Sequence, residues 1–156
     1  MARRLPVKDT EWIVRSNRIV FRFESKEIIA FEGDSITSAL IANGQKILGR
    51  SFKYHRPRGF VSLANHDANV LLQSEDRTNI RGDVSLANES YGSLKAINTI
   101  GGVRNDFTRI LGIFAPILPV GFYYKAFFKP AFLWPYWEKL IRNLAGLGQV
   151  RTKYTK

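Results

Sequence analysis

Residues 19–44 read IVFRFESKEIIAFEGDSITSALIANG, and this stretch decides the fold. Ile19–Phe23 is rich in β-branched and aromatic residues, which predicts a β-strand. The polar residues that follow it predict a turn. Ile28–Phe31 then predicts a second strand, so the two strands form a hairpin.

A short amphipathic helix is predicted directly after the hairpin. Either Asp34 or Ser35 can cap its first turn, and the helix runs to about Ala42. Three apolar residues fall on one face at the spacing i, i+3, i+4, namely Ile36, Ala39 and Leu40. Gly44 supplies the left-handed residue with which many helices end.

The order of these elements predicts the fold class. Further strands are predicted over residues 46–50 and 69–73. Two strands, one helix across them and then more strands is the order of a β-grasp domain, as in ubiquitin and plant-type ferredoxins. We therefore predict an α+β protein with a β-grasp (ferredoxin/ubiquitin-like) core at residues 19–82, preceded by a basic N-terminal arm at residues 1–18.

Residues 83–156 are predicted to form a long aromatic-rich C-terminal extension that ends in a helix. Its first part is rich in Gly, Asn and Ser and shows little periodicity, and a helix is predicted from about Pro135 to Ala145. The aromatic side chains here form more apolar surface than a small β-grasp core can bury, which predicts an interface with another protein. Stacking on a flavin is the alternative that we weigh against this interface. The candidate interface aromatics are Phe122, Tyr123, Tyr124, Trp134 and Trp137.

The charge balance predicts an anionic partner. The chain of 156 residues has a formal net charge of +11 and a pI near 10.2, which suits nucleic acid, an acidic subunit, a membrane surface or a phosphate-bearing cofactor. It contains no cysteine, which excludes disulfides and Cys-ligated metal centres and fits a cytoplasmic location. The uncharged stretch 110–124 is shorter than a membrane-spanning helix and is interrupted by prolines, so no membrane partner is expected.

The run GRSFKYHRPRG, residues 49–59, is the candidate docking site. We call it the basic loop. No acidic residue interrupts it, and we expect it to bind either the carboxylates of a partner or phosphate groups. Its candidate residues are Arg50, Lys53, His55, Arg56 and Arg58.

No catalytic or metal site is predicted from the residues. His55 has no acid or nucleophile near it in sequence, so a general-base role is not expected. The basic loop also lacks the glycines and lysine of a P-loop. The alternative function that stays open is a small basic nucleic-acid-binding protein, although the spacing of Phe52 and Tyr54 suits a strand that buries alternate residues rather than bases stacked on aromatics.

Four strings of the sequence resemble the N-terminal region of the alpha subunit of heterotetrameric sarcosine oxidase. Related flavoenzyme complexes, including opine, proline and cyanide-forming amine dehydrogenases, carry a similar module. The resemblance runs from about residue 19 to residue 148. The strings are GDSITSALIANG (33–44), GRSFKYHRPRG (49–59), LPVGFYYKAFF (118–128) and WEKLIRNLAGLG (137–148).

This resemblance implies a [2Fe–2S] ferredoxin-like β-grasp domain. Cluster-bearing relatives place cysteines just after the Pro-Arg-Gly, whereas residues 60–66 of this chain contain none. From this difference we expect no iron–sulfur cluster, and we expect no cofactor bound by this chain alone.

The resemblance also implies a complex and its chemistry. The whole complex is expected to use FAD, FMN and NAD, with larger flavoprotein subunits as partners and no nucleic acid. It would oxidise an N-methylated amino acid or a related secondary amine, with folate as a one-carbon acceptor. We expect the chain to be a separately encoded part of a split alpha subunit, or a fragment of one, with a structural and non-catalytic role.

Overall fold

The computed structural model describes residues 4–51, 54–63, 66–67, 69–114 and 129–145. Within these residues there are seven β-strands, two α-helices and three short 3-10 helices. In chain order they are β1 Val14–Phe23, β2 Lys26–Glu32, α1 Ile36–Ala42, β3 Gly49–Arg50, β4 Pro57–Arg58, β5 Leu71–Gln73, β6 Ile80–Arg81, the 3-10 helix Glu89–Tyr91, β7 Ser93–Ala96, the 3-10 helices Phe107–Phe114 and Ala131–Leu133, and α2 Trp134–Ala145.

Five of these strands form one mixed sheet in the order β2-β1-β7-β5-β6. β1 and β2 form the predicted antiparallel hairpin, in which Phe23 lies opposite Lys26. β7 pairs in parallel with β1 and antiparallel with β5. The predicted α+β class is confirmed, since the mixed sheet with its few helices is consistent with a ferredoxin-like β-grasp.

The predicted helix is confirmed as α1. Ser35 is its cap, and the Ser35 hydroxyl accepts a hydrogen bond of 3.1 Å from the amide of Ser38. Its predicted apolar face is fully buried in the core, and Gly44 has a φ of +75°. The core joins this face to side chains from β1, β2, β5 and β7, among them Phe21, Phe23, Ile28, Leu72 and Leu94. The apolar faces of the hairpin and of the helix therefore pack against each other in one core.

The sheet extends beyond residues 19–82, the range predicted for the core. β1 begins at Val14, and the strand between β1 and β5 is β7, which lies in the part predicted to be irregular. Leu94 and Ala96 of this strand are buried. Four residues with two apolar positions are too short a pattern to predict a strand from the sequence. The strand forms because its backbone pairs with β1.

The N-terminal arm is fastened to the core of its own chain. The two terminal nitrogens of Arg4 donate to the two carboxylate oxygens of Asp34, at 3.1 and 2.5 Å. The Arg4 guanidinium also lies over the ring of Phe31, at 4.8 Å. Because Asp34 is buried directly before α1, this ion pair ties the arm to the start of the helix.

Only part of the predicted extension falls within the described residues. Helix α2 begins one residue before the predicted start, and its Trp134 and Trp137 are half-buried. The candidate aromatics Phe122, Tyr123 and Tyr124 lie outside the described residues. No helix in the described part of the chain is long and apolar enough to span a membrane.

Candidate functional site

The basic loop forms a small hairpin of its two short strands. β3 and β4 pair antiparallel, with Gly49 opposite Arg58 and Arg50 opposite Pro57. Gly49 is required by a close approach, because a Cβ at this position would overlap the backbone carbonyl oxygen of Asn69. Lys53, one of the five candidate residues, lies outside the described residues.

Arg50 points into the protein and is only 7% exposed. Its guanidinium donates to three backbone carbonyl oxygens, those of Val103 at 2.8 Å, His55 at 2.7 Å and Arg104 at 3.3 Å. Its Nε also lies 3.7 Å from a carboxylate oxygen of Asp106. Arg50 therefore connects the basic loop to residues that lie more than fifty positions further along the chain.

His55 is also internal, at 2% exposure. Its Nδ1 lies 2.9 Å from Oδ2 of Asp106 and 2.7 Å from the hydroxyl of Thr108. A carboxylate only accepts, so Nδ1 carries the proton that is donated here. The backbone of His55 has a φ of +49°, a left-handed conformation that histidine adopts more readily than most residues.

Asp106 is the centre of this network. Its Oδ1 accepts from the amides of Ile100 and Thr108, at 3.1 and 3.2 Å, and from the Thr108 hydroxyl at 2.5 Å. Burial alone would raise the pKa of Asp106, but these hydrogen bonds and the charge of His55 outweigh it, so its pKa is lowered. Asp106 is therefore a carboxylate that the fold holds in its ionised form.

The loop that follows the Pro-Arg-Gly is organised around a second buried carboxylate, Asp67. It accepts backbone amides from Val61 at 2.5 Å, Asn69 at 2.9 Å and Ser62 at 3.3 Å. Burial would raise the pKa of Asp67, and these amide hydrogen bonds lower it by more. The carboxylate thus satisfies backbone groups on both sides of itself.

The lowered pKa values predict how stability depends on pH. A carboxylate whose pKa is lower in the folded than in the unfolded chain stabilises the fold at pH values above its pKa in the unfolded chain. For aspartate this unfolded-state pKa is near 3.8. This stabilisation is lost as the pH falls through the lower, folded pKa. We expect urea unfolding to show a constant contribution from Asp106 between pH 7 and about pH 5.

The measurement is the difference in unfolding free energy between the wild type and Asp106→Asn. This difference is expected to begin to shrink near pH 4, where the carboxylate of the unfolded chain takes up a proton, and to vanish once the pH has fallen through the lower pKa of the folded carboxylate. A difference that grows as the pH falls would contradict the proposed ionised state of Asp106.

Arg56 and Arg58 are the two candidate residues whose side chains face outward. Both are exposed, and the Arg56 guanidinium lies over the ring of Tyr54 at 4.8 Å. The four candidates that the structure describes thus divide into the internal Arg50 and His55, which hold the loop in place, and the external Arg56 and Arg58, which are accessible to a partner.

A cleft of about 710 Å³ is lined by both the basic loop and the segment that follows Asp106. Two exposed arginines and the Asp106 network line it, together with apolar side chains from the 3-10 helix Phe107–Phe114. The lining residues are Arg50, Tyr54, His55, Arg56, Pro57, Asn105, Asp106, Phe107, Arg109, Ile110, Gly112 and Ile113.

Asp106, the acid that pairs with His55, was not among the residues predicted for the site. His55 has no acid near it in the sequence, but the fold brings Asp106, 51 positions away, to its Nδ1. One local signal was present, since an Asp side chain often accepts the backbone amide two residues further on and so caps a turn. That signal identifies a cap but does not indicate which distant side chain the cap also contacts.

Comparison with known proteins identifies three relatives, all named sarcosine oxidase subunit alpha. That of Rhizobium meliloti (strain 1021) is 38% identical over 145 residues, which is 86% of this chain and 14% of the relative. Those of Corynebacterium sp. strains P-1 and U-96 are 31% and 28% identical over 111 and 104 residues, which is 71% and 67% of this chain and 11% and 10% of the relatives. The chain thus spans about a seventh or less of the length of these proteins. None of these findings supports the nucleic-acid alternative.

Residues 16–90 match a family model described as a 2Fe-2S iron-sulfur cluster binding domain. This match contradicts our expectation for the cofactors, in which no iron–sulfur cluster was associated with the chain. The correction is that the module itself comes from a cluster-binding family. The expectation rested on the absence of cysteine after the Pro-Arg-Gly, whereas residues 16–90 match the cluster-binding family.

The donor atoms of this chain do not fit such a cluster. A [2Fe–2S] cluster is held by four cysteine thiolates, and in one variant two histidines replace two of the cysteines. The chain has no cysteine and two histidines, and the described residues contain no group of three His, Asp or Glu side chains that could share a metal ion. The function proposed below therefore contains no step through a cluster.

The fold, the family match and the relatives agree on where this module belongs. The sheet order is that of a ferredoxin-like domain, the family model covers the hairpin, α1 and the basic loop, and the similarity to the relatives extends over most of the chain. The predicted resemblance is confirmed: this chain carries an N-terminal ferredoxin-like region of the sarcosine oxidase alpha-subunit family.

Proposed function

We propose that this chain is a structural, non-catalytic component of a multi-subunit, flavin-dependent amine oxidase or dehydrogenase of the sarcosine oxidase type. The observation that carries the proposal is the similarity over 145 residues to a sarcosine oxidase subunit alpha. The substrates would be N-methylated amino acids or related secondary amines, because sarcosine is itself N-methylglycine. The proposed partners are larger flavoprotein subunits, and the proposed location is the cytoplasm.

The geometry of the basic loop supports a structural role. The guanidinium of Arg50, the Nδ1 of His55 and the carboxylate of Asp106 face inward and are engaged with one another and with backbone carbonyls or amides. This network fixes the conformation of the loop. It leaves Arg56 and Arg58 on the outside, where their guanidinium groups can form paired hydrogen bonds with carboxylates of a partner.

The interface aromatics of α2 support the same role. Trp134 and Trp137 are half-buried in a helix whose other described side chains include the exposed Tyr136. Aromatic side chains of this kind are enriched in protein interfaces. We propose that α2 and the aromatic residues 122–124 before it contribute to the contact with the flavoprotein.

The experiment that tests this proposal measures assembly of the full chain in its native cells. Tagged wild-type protein is expected to co-purify with larger subunits and with flavin absorbance. The double variant Arg56→Ala, Arg58→Ala is expected to weaken assembly by about 2 kcal/mol or more, a factor of about thirty in Kd, because it leaves partner charges unpaired. The KM of the assembled enzyme is expected to stay unchanged.

The matched control is Arg22→Ala, Lys95→Ala, which removes the same number of positive charges from exposed positions on the sheet. It should assemble like the wild type. Normal assembly of the loop variant with a raised KM would count against docking by the loop. A wild-type chain that purifies alone and colourless would overturn the proposed membership in a flavin complex.

A further inference from the structure

Three large apolar side chains form an exposed ridge beside the basic loop. Phe107, Ile110 and Ile113 are 75%, 59% and 73% exposed, and all three belong to the 3-10 helix Phe107–Phe114. Side chains at i and i+3 of a 3-10 helix are eclipsed, so these three lie on one face. At about 2.0 Å rise per residue, the ridge is about 12 Å long.

The charge that flanks the ridge is positive. Arg56 and Arg109 line the same cleft as the three apolar side chains. Neither belongs to an ion pair among the described residues. The carboxylate of the cleft, Asp106, is already engaged by His55 and Thr108 and lies beside Arg50. The cleft therefore presents uncompensated guanidinium groups next to an apolar surface.

The ridge and the arginines are held in a fixed relation by Asp106. The carboxylate accepts the amide of Thr108 in the first turn of the ridge helix and also binds His55 of the basic loop. The helix packs closely on the loop, since a Cβ at Gly112 would lie 3.1 Å from the carbonyl oxygen of Tyr54. The surface is thus preformed, which lowers the cost of ordering it on binding.

We propose that this ridge and its two arginines form a docking site for a protein segment whose apolar side chains are flanked by carboxylates. The apolar side chains would pack on the ridge, and the carboxylates would pair with the guanidinium groups. The cleft that the ridge lines with the arginines favours a protruding protein segment over a lipid bilayer, which presents a flat surface. The inference rests on the proposed function only in assigning the segment to a subunit of the same complex.

The test replaces Ile113 with a photo-crosslinking phenylalanine derivative in the full chain, in its native cells. After irradiation, the crosslinked product is purified and the attached peptide is sequenced by mass spectrometry. The expected product is one dominant partner segment in which at least two Asp or Glu residues lie within about five positions of the crosslinked apolar residue. The same probe at Trp12, an exposed side chain on the N-terminal arm, serves as the matched control and should not yield this segment.

Two variants separate the apolar from the electrostatic contribution, each with the crosslinker at Phe107. Ile110→Ser, Ile113→Ser is expected to lower the yield of the crosslinked product at least tenfold, and Arg109→Glu at least fivefold. Both change exposed side chains, so their thermal unfolding curves should match that of the wild type. An unchanged yield in both variants would overturn the proposal.

Other crosslinking outcomes also test the proposed docking site. The proposal would be overturned by crosslinks to lipid, to a second copy of this chain, to many unrelated proteins or to a segment without carboxylates. Failure of the proposed function is seen separately, because the tagged wild-type chain then purifies without flavoprotein subunits. If those subunits co-purify while no crosslink forms at the ridge, the docking site alone is wrong.

Discussion

Replacing Asp106 with alanine is expected to lower the free energy of unfolding by about 3–5 kcal/mol. The change removes a buried carboxylate that accepts hydrogen bonds from His55, Thr108 and Ile100. It leaves the Nδ1–H of His55 and the guanidinium of Arg50 without their buried anion, and uncompensated buried polar groups of this kind are costly. Urea unfolding followed by circular dichroism measures the effect.

The control for this prediction is Asp9→Ala, which removes the same charge from an exposed position near the N-terminus. Its unfolding free energy should stay within about 0.5 kcal/mol of the wild type. Asp106→Asn should fall between the two, because it preserves the shape and part of the hydrogen bonding. Equal stability of the Asp106 and Asp9 alanine variants would show that the buried network does not hold the basic loop.

Replacing Arg50 with alanine is expected to cost a similar amount, about 3–5 kcal/mol. Three backbone carbonyl oxygens, on His55, Val103 and Arg104, would lose their donor in a buried place. Arg50→Lys is expected to recover only part of the loss, because a single ammonium cannot reproduce the planar fork of donors that reaches all three acceptors. Unfolding of the two variants in urea measures this difference.

Arg58→Ala is the matched control, since it removes the same side chain from the opposite strand of the loop at an exposed position. We expect it to change stability by no more than about 0.5 kcal/mol. If Arg50→Ala were as stable as Arg58→Ala, the internal role assigned to Arg50 would be wrong.

The candidate site was predicted in part. The sequence identified the basic loop as the place of interest, because an uninterrupted run of cations with no acid is visible locally. It treated the five basic side chains as one set, whereas the structure buries Arg50 and His55 and exposes Arg56 and Arg58. Burial depends on what packs over the loop, and the covering segment comes from residues 103–108, far along the chain.

The apolar ridge was missed for a different reason. Phe107, Ile110 and Ile113 fall at a spacing of three, which an exposed 3-10 ridge shares with the buried face of an ordinary helix. Their exposure also follows from the way Asp106 and Gly112 fix the ridge helix against the basic loop, and that contact is not encoded within the helix itself.

The sequence alone determined the hairpin of β1 and β2, the helix α1 and the α+β class, because each of these is specified by patterns within a few neighbouring residues. Only the tertiary structure decided that β7 lies between β1 and β5, and that Asp106 pairs with His55. The physical reason is the same for both. Contacts between residues that are distant in the sequence depend on the packing of the whole core, and no local pattern of side chains specifies their partner.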